Sequence, residues 1–159
     1  MITLSFLSFH SKNLILELVK KIDSFNLNLP ILIIENSRDK ELKETLEKNF
    51  KNIEVYIPDE NLGFSKGMNR ALELSKTDFV FLNPADVNFE KKCLENLIEC
   101  VKNFTDFTLI APTYTDESIY KNYEIYSNKE EKINANSLFR KFSIKEVDFI
   151  DGTFIVNKK

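Results

Sequence analysis

The architecture of this chain follows from Ile31-Leu32-Ile33-Ile34, four consecutive apolar residues of which three are β-branched. A continuous run of this kind is typical of a strand that is buried on both faces of a parallel sheet. Glu35 follows the run directly, so we expect this carboxylate at the rim of the sheet. An ordinary surface position at the end of a strand explains Glu35 equally well at this stage.

Strand-like and helix-like patterns alternate on both sides of this run. Parallel strands joined by helices need crossover connections, so the pattern predicts an α/β fold, a Rossmann-like, mostly parallel sheet with helices on both faces. The predicted strands cover residues 4–8, 31–34, 53–57 and 79–82. The helices between and after them are predicted near residues 12–25, 41–50, 64–75 and 89–101. Shorter strands are predicted at 107–111, 123–126, 147–150 and 154–156.

Composition limits the classes of function. The chain has 159 residues, which is the size of one domain. Its 22 Lys and Arg against 25 Asp and Glu give no basic excess of the kind that nucleic-acid-binding proteins show. No stretch approaches the roughly 20 apolar residues of a transmembrane helix. Cys93 and Cys100 fall on one helix face as core thiols, so we expect neither disulfides nor a zinc site. A cytoplasmic protein is expected, with peripheral association at the inner face of the membrane as a variant.

Polar residues follow each predicted strand. Ligands bind at the carboxyl ends of strands in open parallel sheets, so we expect these residues to form one site. They are Ser8, Phe9 and His10 after the first strand, Glu35 and Asn36 after the second, Asn61, Gly63, Lys66 and Asn69 after the third, and Asn83 and Asp86 after the fourth.

The loop after the third strand holds two of the three glycines in the chain. Gly63 permits a backbone conformation that other residues avoid. Gly67 lies within a helical pattern, where glycine costs about 1 kcal/mol relative to alanine, so either a ligand or a packed strand is expected against it. The start of this helix, with Lys66 beside it, suits a phosphate group. A tight turn with a packing glycine is the alternative.

Asp86 follows the fourth predicted strand. Oxygen ligands of this kind suit Mg²⁺ or Mn²⁺ bridging a diphosphate. The competing interpretation is that Asp86 or Asn88 caps the next helix by accepting backbone N–H bonds.

The segment 61–71 reads NLGFSKGMNRA and is followed by Phe81-Leu82-Asn83-Pro84. It resembles the N-x-G-F-x-x-G-x-N-x-A/G segment of family 2 glycosyltransferases, especially their rhamnosyltransferase-like branch. The resemblance covers residues 2–101 and, more loosely, 144–156. It implies one GT-A domain, with a nucleotide-sugar-binding part at 1–105 and a partial acceptor-side part at 106–159.

The resemblance also implies roles for individual residues. The loop after the first strand lies near the nucleotide base, Glu35 contacts the nucleoside, and Lys66 and Asn69 face the diphosphate sugar. Asp86 falls in the metal-binding region, where Ala85 either replaces an acidic residue or marks an insertion. The residues implied for nucleotide-sugar binding are Ser8, Phe9, His10, Glu35, Asn36, Asn61, Gly63, Lys66, Asn69 and Asn83; Asp86 is implied for Mg²⁺ or Mn²⁺.

The implied activity is inverting transfer of a sugar from a UDP- or dTDP-sugar to a glycan or lipid-linked acceptor in polysaccharide biosynthesis. The family places its acidic base after the strand pair that 147–154 resembles. Nothing follows here to supply it, so we expect a truncated chain with no assigned base and doubtful activity. One alternative is a non-catalytic subunit that pairs with another chain, including a homodimer. Another is a nucleotidyltransferase, which should carry glycine and Arg or Lys directly after the first strand.

Overall fold

The computed structural model describes residues 1–104, 107–112, 123–124, 149–150 and 152–158. Eight strands and four helices lie in these ranges. In chain order they are β1 (Ile2–Ser8), α1 (Lys12–Ser24), β2 (Ile31–Glu35), α2 (Lys40–Asn49), β3 (Ile53–Tyr56), α3 (Gly63–Leu74), β4 (Phe79–Pro84), α4 (Lys91–Asn103), β5 (Leu109–Ile110), β6 (Tyr123–Glu124), β7 (Phe149–Ile150) and β8 (Phe154–Asn157).

Six of these strands form one sheet in the order β3-β2-β1-β4-β8-β5. The first four strands of the chain are mutually parallel, whereas β8 runs antiparallel to both β4 and β5. Strands β6 and β7 pair separately. The predicted mostly parallel α/β sheet is therefore confirmed, with one reversed strand inserted near its edge.

The two faces of the sheet carry different helices because side chains alternate along each strand. On one face, residues such as Phe6, Ile33 and Phe81 pack with the apolar stripes of α1, α2 and α4. On the other face, Leu32, Val80 and their neighbours pack mainly with α3. Helices on both faces, as predicted, leave the loops at the strand ends free to form a site.

The boundaries differ from the predicted ones by a few residues. Strand β4 extends through Asn83 and Pro84, which the sequence placed in the following loop. Helix α3 begins at Gly63, one residue earlier than predicted. Helix α4 begins at Lys91, and the side chain of its N-cap residue, Glu90, makes no capping hydrogen bond. The expected capping of this helix by Asp86 or Asn88 is therefore wrong, because both residues lie before the N-cap position.

Candidate functional site

The carboxyl ends of β1, β2 and β4 lie side by side, as a parallel sheet requires. Ser8 is in register with Glu35 across the β1–β2 pair, and Phe6 is in register with Asn83 across the β1–β4 pair. The backbone N–H of Asn36 then donates to the carbonyl of Ser8 over 2.8 Å, which extends the pairing beyond the strand. The structure thus places the predicted residues after these three strands at one edge.

Glu35 is completely buried although it carries a carboxylate. Its Oε1 accepts hydrogen bonds from the backbone N–H of Ser37, over 2.9 Å, and from the Ser37 hydroxyl. Its Oε2 is also buried but has no hydrogen-bond partner in the described part of the chain. An unpartnered buried carboxylate oxygen costs free energy, so Glu35 offers an acceptor to a ligand.

Glu35 lies in the wall of an open pocket of about 360 Å³ between the ends of β1 and β2. The backbone N–H of His10 donates to the Ser37 hydroxyl over 3.2 Å at the mouth of this pocket. His10 has a positive φ of 52°, which turns the loop after β1 toward β2. The residues that line the pocket are His10, Lys12, Glu35, Ser37, Asp39 and Leu42.

A lysine brings positive charge to the same pocket. The Lys12 Nζ is 2.8 Å from Glu41 Oε2 and 3.7 Å from Asp39 Oδ2. The hydrogen bond that the Lys12 ammonium donates to Glu41 is the main reason that the pKa of Lys12 is raised above its ordinary value, and Asp39 adds to it. Lys12 therefore remains a cation at any physiological pH.

The loop after β3 is held to the end of β2 by Asn36. The Asn36 side-chain amide donates to the carbonyl of Gly63 over 3.1 Å, and its oxygen accepts from the backbone N–H of Leu62 over 3.4 Å. Asn61 Oδ1 accepts from the Gly63 N–H over 2.8 Å. Gly63 has the positive φ, 68°, that the sequence predicted, and no atom lies within 4 Å of where its Cβ would be. The glycine turn thus lies on the same rim as Glu35.

Gly67 is buried against strands and not against the open cleft. A Cβ at this position would come within 2.5 Å of Leu7 Cδ1 and 3.5 Å of Asn36 Nδ2. The sequence predicted either a ligand or a packed strand against Gly67. In the structure the neighbour is strand β1, through Leu7. The exposed face of the same helix presents Lys66 and Asn69, one turn apart, toward solvent.

The loop after β4 contains both a buried and an exposed candidate. Asn83 is fully buried and its side chain is engaged within the protein: Nδ2 donates to the carbonyls of Pro84 and Val87, and Oδ1 accepts from the Thr153 hydroxyl. Asp86 is exposed on the turn that follows. The described residues contain no group of three His, Cys, Asp or Glu side chains arranged to hold a metal ion.

The loop after β1 is held by serines. Ser11 occupies the N-cap position of α1, but its side chain makes no capping hydrogen bond. The Ser11 hydroxyl instead bonds that of Ser8 over 3.0 Å and accepts from the Phe9 N–H over 3.2 Å. The Phe9 ring is about half exposed and lies 4.3 Å from the His10 ring. Ser8 itself is buried, so Phe9 and His10 are the side chains of this loop that a ligand can reach.

Two further contributors are Ser37, which acts on Glu35 and follows the second predicted strand with it, and Thr153, which acts on Asn83 and was not singled out from the sequence. Each is a hydroxyl that acts on another residue of the site. Ser37 is only two residues from Glu35, whereas Thr153 reaches Asn83 across 70 positions because β8 pairs with β4. Asp148 and Asp151, the two carboxylates of the segment 147–154, lie outside the described residues.

A further pocket of about 280 Å³ lies at the opposite edge of the sheet, near the amino ends of β2 and β3. It is lined by Ile31 and Ile53 and by the loops that precede them. None of the predicted site residues borders it, so the carboxyl edge remains the candidate site.

The fold and the layout of this edge define a GT-A glycosyltransferase-like domain. The chain belongs to glycosyl transferase family 2, whose profile matches residues 8–159. No curated protein sequence matches the chain. Within the described ranges, none of the helices combines the length and the apolar character needed to cross a bilayer.

Solved structures share the fold at low sequence identity. The mannosyltransferase PcManGT from Pyrobaculum calidifontis, in complex with GDP-Man and Mn²⁺, matches with a TM-score of 0.70 and 11% identity over 98% of this chain and 44% of that chain. S. aureus TarS 1-349 in complex with UDP-GlcNAc matches with a TM-score of 0.66 and 16% identity over 99% of this chain and 45% of that chain. This chain therefore spans less than half the length of either protein.

The same fold also occurs in a synthetase that was solved with CTP. The CMP:2-keto-3-deoxy-manno-octonic acid synthetase complexed with CTP matches with a TM-score of 0.62 and 5% identity over 99% of this chain and 74% of that chain. At such identities the likeness concerns the fold alone. The loop after β1, Ser8-Phe9-His10-Ser11, lacks the glycine and Arg or Lys that we expect of a nucleotidyltransferase.

Proposed function

We propose that this chain binds a nucleoside diphosphate sugar, carried by UDP or dTDP, at the carboxyl edge of its sheet. The observation that carries the proposal is the buried Oε2 of Glu35, which has no partner among the described residues and lies in the wall of an open pocket. Asn36, the next residue, holds the glycine turn beside it. The proposed base pocket at Glu35 and the proposed phosphate site at the start of α3 are thus connected through two adjacent residues, Glu35 and Asn36.

The chemistry of Glu35 favours a particular kind of base. An ionised carboxylate only accepts hydrogen bonds. Uracil and thymine carry an N–H at ring position 3, whereas cytosine carries an acceptor there. Oε1 is already engaged by Ser37, so Oε2 is the atom that receives the N–H of the base. Guanine also presents a ring N–H, and a comparison of nucleotides therefore has to include GDP.

The start of α3 supplies the diphosphate site in this proposal. The first N–H groups of a helix have no partners within the helix, and its positive dipole end favours anions. Lys66 lies in the first turn and Asn69 lies three residues further on the same face, both exposed. Gly63 keeps the space above the helix start clear of a side chain.

The residues present fit a divalent cation that is shared with the donor. Mg²⁺ is commonly held by one or two carboxylates together with substrate phosphates, so a single exposed Asp86 suffices on the protein side. When bound, Mg²⁺ or Mn²⁺ would neutralise charge on the departing diphosphate. Lys66 and the start of α3 would share this task from the other side of the site.

The finer assignments are part of the proposal. They are the rhamnosyltransferase-like branch, the division into a donor part at 1–105 and an acceptor-side part at 106–159, and a glycan or lipid-linked acceptor in polysaccharide biosynthesis. In the reaction of an inverting enzyme, an acceptor hydroxyl oxygen bonds to the anomeric carbon, the bond to the diphosphate breaks, and a base takes the hydroxyl proton. No described residue is assigned as that base, so donor binding is the function proposed for this chain.

Calorimetric titration with UDP, dTDP, GDP, CDP and ADP, each with and without Mn²⁺, tests the proposal. We expect UDP or dTDP to bind more tightly than CDP by at least about tenfold, which corresponds to about 1.4 kcal/mol. Binding of none of the five nucleotides would contradict the proposed function. Tighter binding of CDP would retain a nucleotide site but contradict the role given to Glu35.

A further inference from the structure

Two distant parts of the chain meet at a buried hydrogen bond beside the site. The Thr153 hydroxyl donates to Oδ1 of Asn83 over 2.6 Å, and the two residues are 70 positions apart. Both side chains are buried, Thr153 at 5% and Asn83 at 0% exposure. Thr153 lies immediately before β8, the reversed strand that pairs with β4.

Asn83 also makes hydrogen bonds to the turn that contains Asp86. Its Nδ2 donates to the carbonyl of Pro84 over 2.7 Å and to that of Val87 over 3.0 Å. The backbone N–H of Val87 also donates to the Pro84 carbonyl over 3.3 Å. The Asn83 amide group therefore ties together both ends of the turn 84–87, and Asp86 lies inside that turn.

The hydrogen bond lies beyond the regular pairing of the two strands. The β4–β8 register ends with Leu82 opposite Phe154, so the strands are already joined without Thr153. The bond is made one residue further, between Thr153, just before β8, and Asn83, which still pairs with Phe6 of β1 near the end of β4. A hydroxyl at this position adds little to the strand pairing and acts mainly on the orientation of Asn83.

We propose that Thr153 is a positioning residue which, through Asn83, fixes the turn 84–87 and thereby the direction of the Asp86 carboxylate. The inference rests on the proposed function insofar as Asp86 is directed at a cation and a diphosphate. Asn83 acts from within the protein, because each of its side-chain polar atoms already has a protein partner. Gly152, with a φ of 84°, lets the chain turn so that Thr153 enters this position.

The test compares Thr153→Val, which keeps the shape and removes the hydroxyl, with Thr153→Ser, which keeps the hydroxyl. Mn²⁺ affinity in the presence of UDP is measured from the electron paramagnetic resonance signal of free Mn²⁺, and UDP affinity is measured separately in EDTA. We expect Thr153→Val to weaken Mn²⁺ binding by about tenfold, the usual effect of losing a group that orients a metal ligand. UDP binding in EDTA should change less than about twofold, and Thr153→Ser should resemble the unaltered chain.

A second measurement needs no ligand. Amide hydrogen exchange followed by NMR should show the Val87 N–H exchanging at least about tenfold faster in Thr153→Val, with the Val80 N–H in β4 unchanged. Equal exchange at Val87 in the two proteins would overturn the positioning role, and so would unchanged Mn²⁺ affinity. If the unaltered chain binds no UDP while Val87 exchange rises as expected, the proposed function fails and the structural coupling stands.

Discussion

The side-chain amide of Asn36 lies 3.1 Å from the carbonyl oxygen of Gly63, and this contact joins the end of β2 to the first residue of α3. The same side chain accepts a hydrogen bond from the Leu62 N–H over 3.4 Å. Since Asn36 follows Glu35 directly, it connects the Glu35 pocket to the start of α3. The relationship explains how one short segment, Glu35-Asn36-Ser37, organises three separate loops.

Asn36→Ala should therefore weaken both the fold and the site. Two hydrogen bonds are lost in a buried position, and we expect the free energy of unfolding to fall by about 2 kcal/mol. UDP affinity should fall as well, because the start of α3 is no longer held beside Glu35. Denaturant unfolding and calorimetric titration measure the two effects.

Asn61→Ala is the matched control for this variant. Asn61 is exposed, and it bonds the same glycine through the Gly63 N–H over 2.8 Å. The loss of stability should be smaller, about 0.5 kcal/mol, because water can replace an exposed partner. Equal losses for the two variants would show that the burial of Asn36 does not matter.

Glu35→Gln should change which base is preferred. The amide oxygen can keep the bonds from Ser37, which places an NH₂ group where Oε2 now lies. A donor at that position opposes the N–H of uracil and suits the acceptor nitrogen of cytosine, so the ratio of UDP to CDP affinity should fall by about tenfold or more. Competition binding with both nucleotides measures the ratio.

Glu41→Gln tests whether the change in the ratio of UDP to CDP affinity reflects charge alone. Glu41 is an exposed carboxylate on α2 that bonds Lys12 and does not line the pocket. Its neutralisation should leave the UDP to CDP ratio unchanged. A similar fall in both variants would indicate a general electrostatic effect and not recognition of the base.

The two glycines of the turn should respond differently to alanine. Gly63→Ala places a side chain in a left-handed conformation, with a φ of 68°, and should destabilise by about 1 kcal/mol although the space is open. Gly67→Ala gains helix propensity, but its Cβ would come within 2.5 Å of Leu7 Cδ1. We expect a net loss of about 1 kcal/mol, because overpacking outweighs the gain.

A double-mutant cycle with Leu7→Ala isolates this contact. With the leucine truncated, Gly67→Ala should become stabilising by about 1 kcal/mol, the ordinary helix preference of alanine over glycine. Thermal unfolding of the four proteins gives the coupling free energy. Additive effects would mean that Leu7 does not set the requirement for glycine at position 67.

Glu47 should contribute to stability in a pH-dependent way. Burial disfavours its charge, but the hydrogen bond from the Val55 N–H, at 2.9 Å, and the Lys43 ammonium more than offset this, so the pKa of Glu47 is lowered from its ordinary 4.5. A lowered folded-state pKa means that the stabilisation is present above about pH 4.5 and is lost as the pH falls through the folded-state value. Because the side chain is partly exposed, we expect Glu47→Gln to cost no more than about 1 kcal/mol at pH 7.

Urea unfolding of the Glu47→Gln variant at pH 7 and at pH 3 checks this assignment. The difference from the unaltered chain should shrink at the lower pH. Glu44→Gln, on the exposed side of α2, is the matched control. If Glu47→Gln lowers the free energy of unfolding by the same amount at both pH values, the effect comes from the shape of the side chain and not from its charge.

The sequence predicted the parallel core well because each of its strands is a local signal. Ile31-Leu32-Ile33-Ile34 has few alternatives to a buried strand, and the φ of Gly63 follows from its place between a strand and a helix. The start of α4 was predicted less well, since Asp86 and Asn88 are both good capping residues and only the path of the turn excludes them.

Other parts of the site depend on residues that are distant in sequence. Among the described residues Glu35 Oε2 has no partner because of its surroundings, and these cannot be read from one glutamate in a sequence. The role of Thr153 depends on β8 entering the sheet beside β4. The requirement for glycine at position 67 depends on where the Leu7 side chain points. Hydrophobic periodicity carries no information on such contacts.

The position of β8 between β4 and β5 has a consequence for biosynthesis. Strands β1 to β4 can pair as they leave the ribosome, but the space beside β4 stays open until residue 154 has been made, some seventy residues later. The hydrogen bond from Thr153 to Asn83 can form only then, so this support of the Asp86 turn is made late. Vectorial synthesis thus allows the Glu35 pocket to form early, whereas the contact that supports the Asp86 turn forms only after the reversed strand has docked.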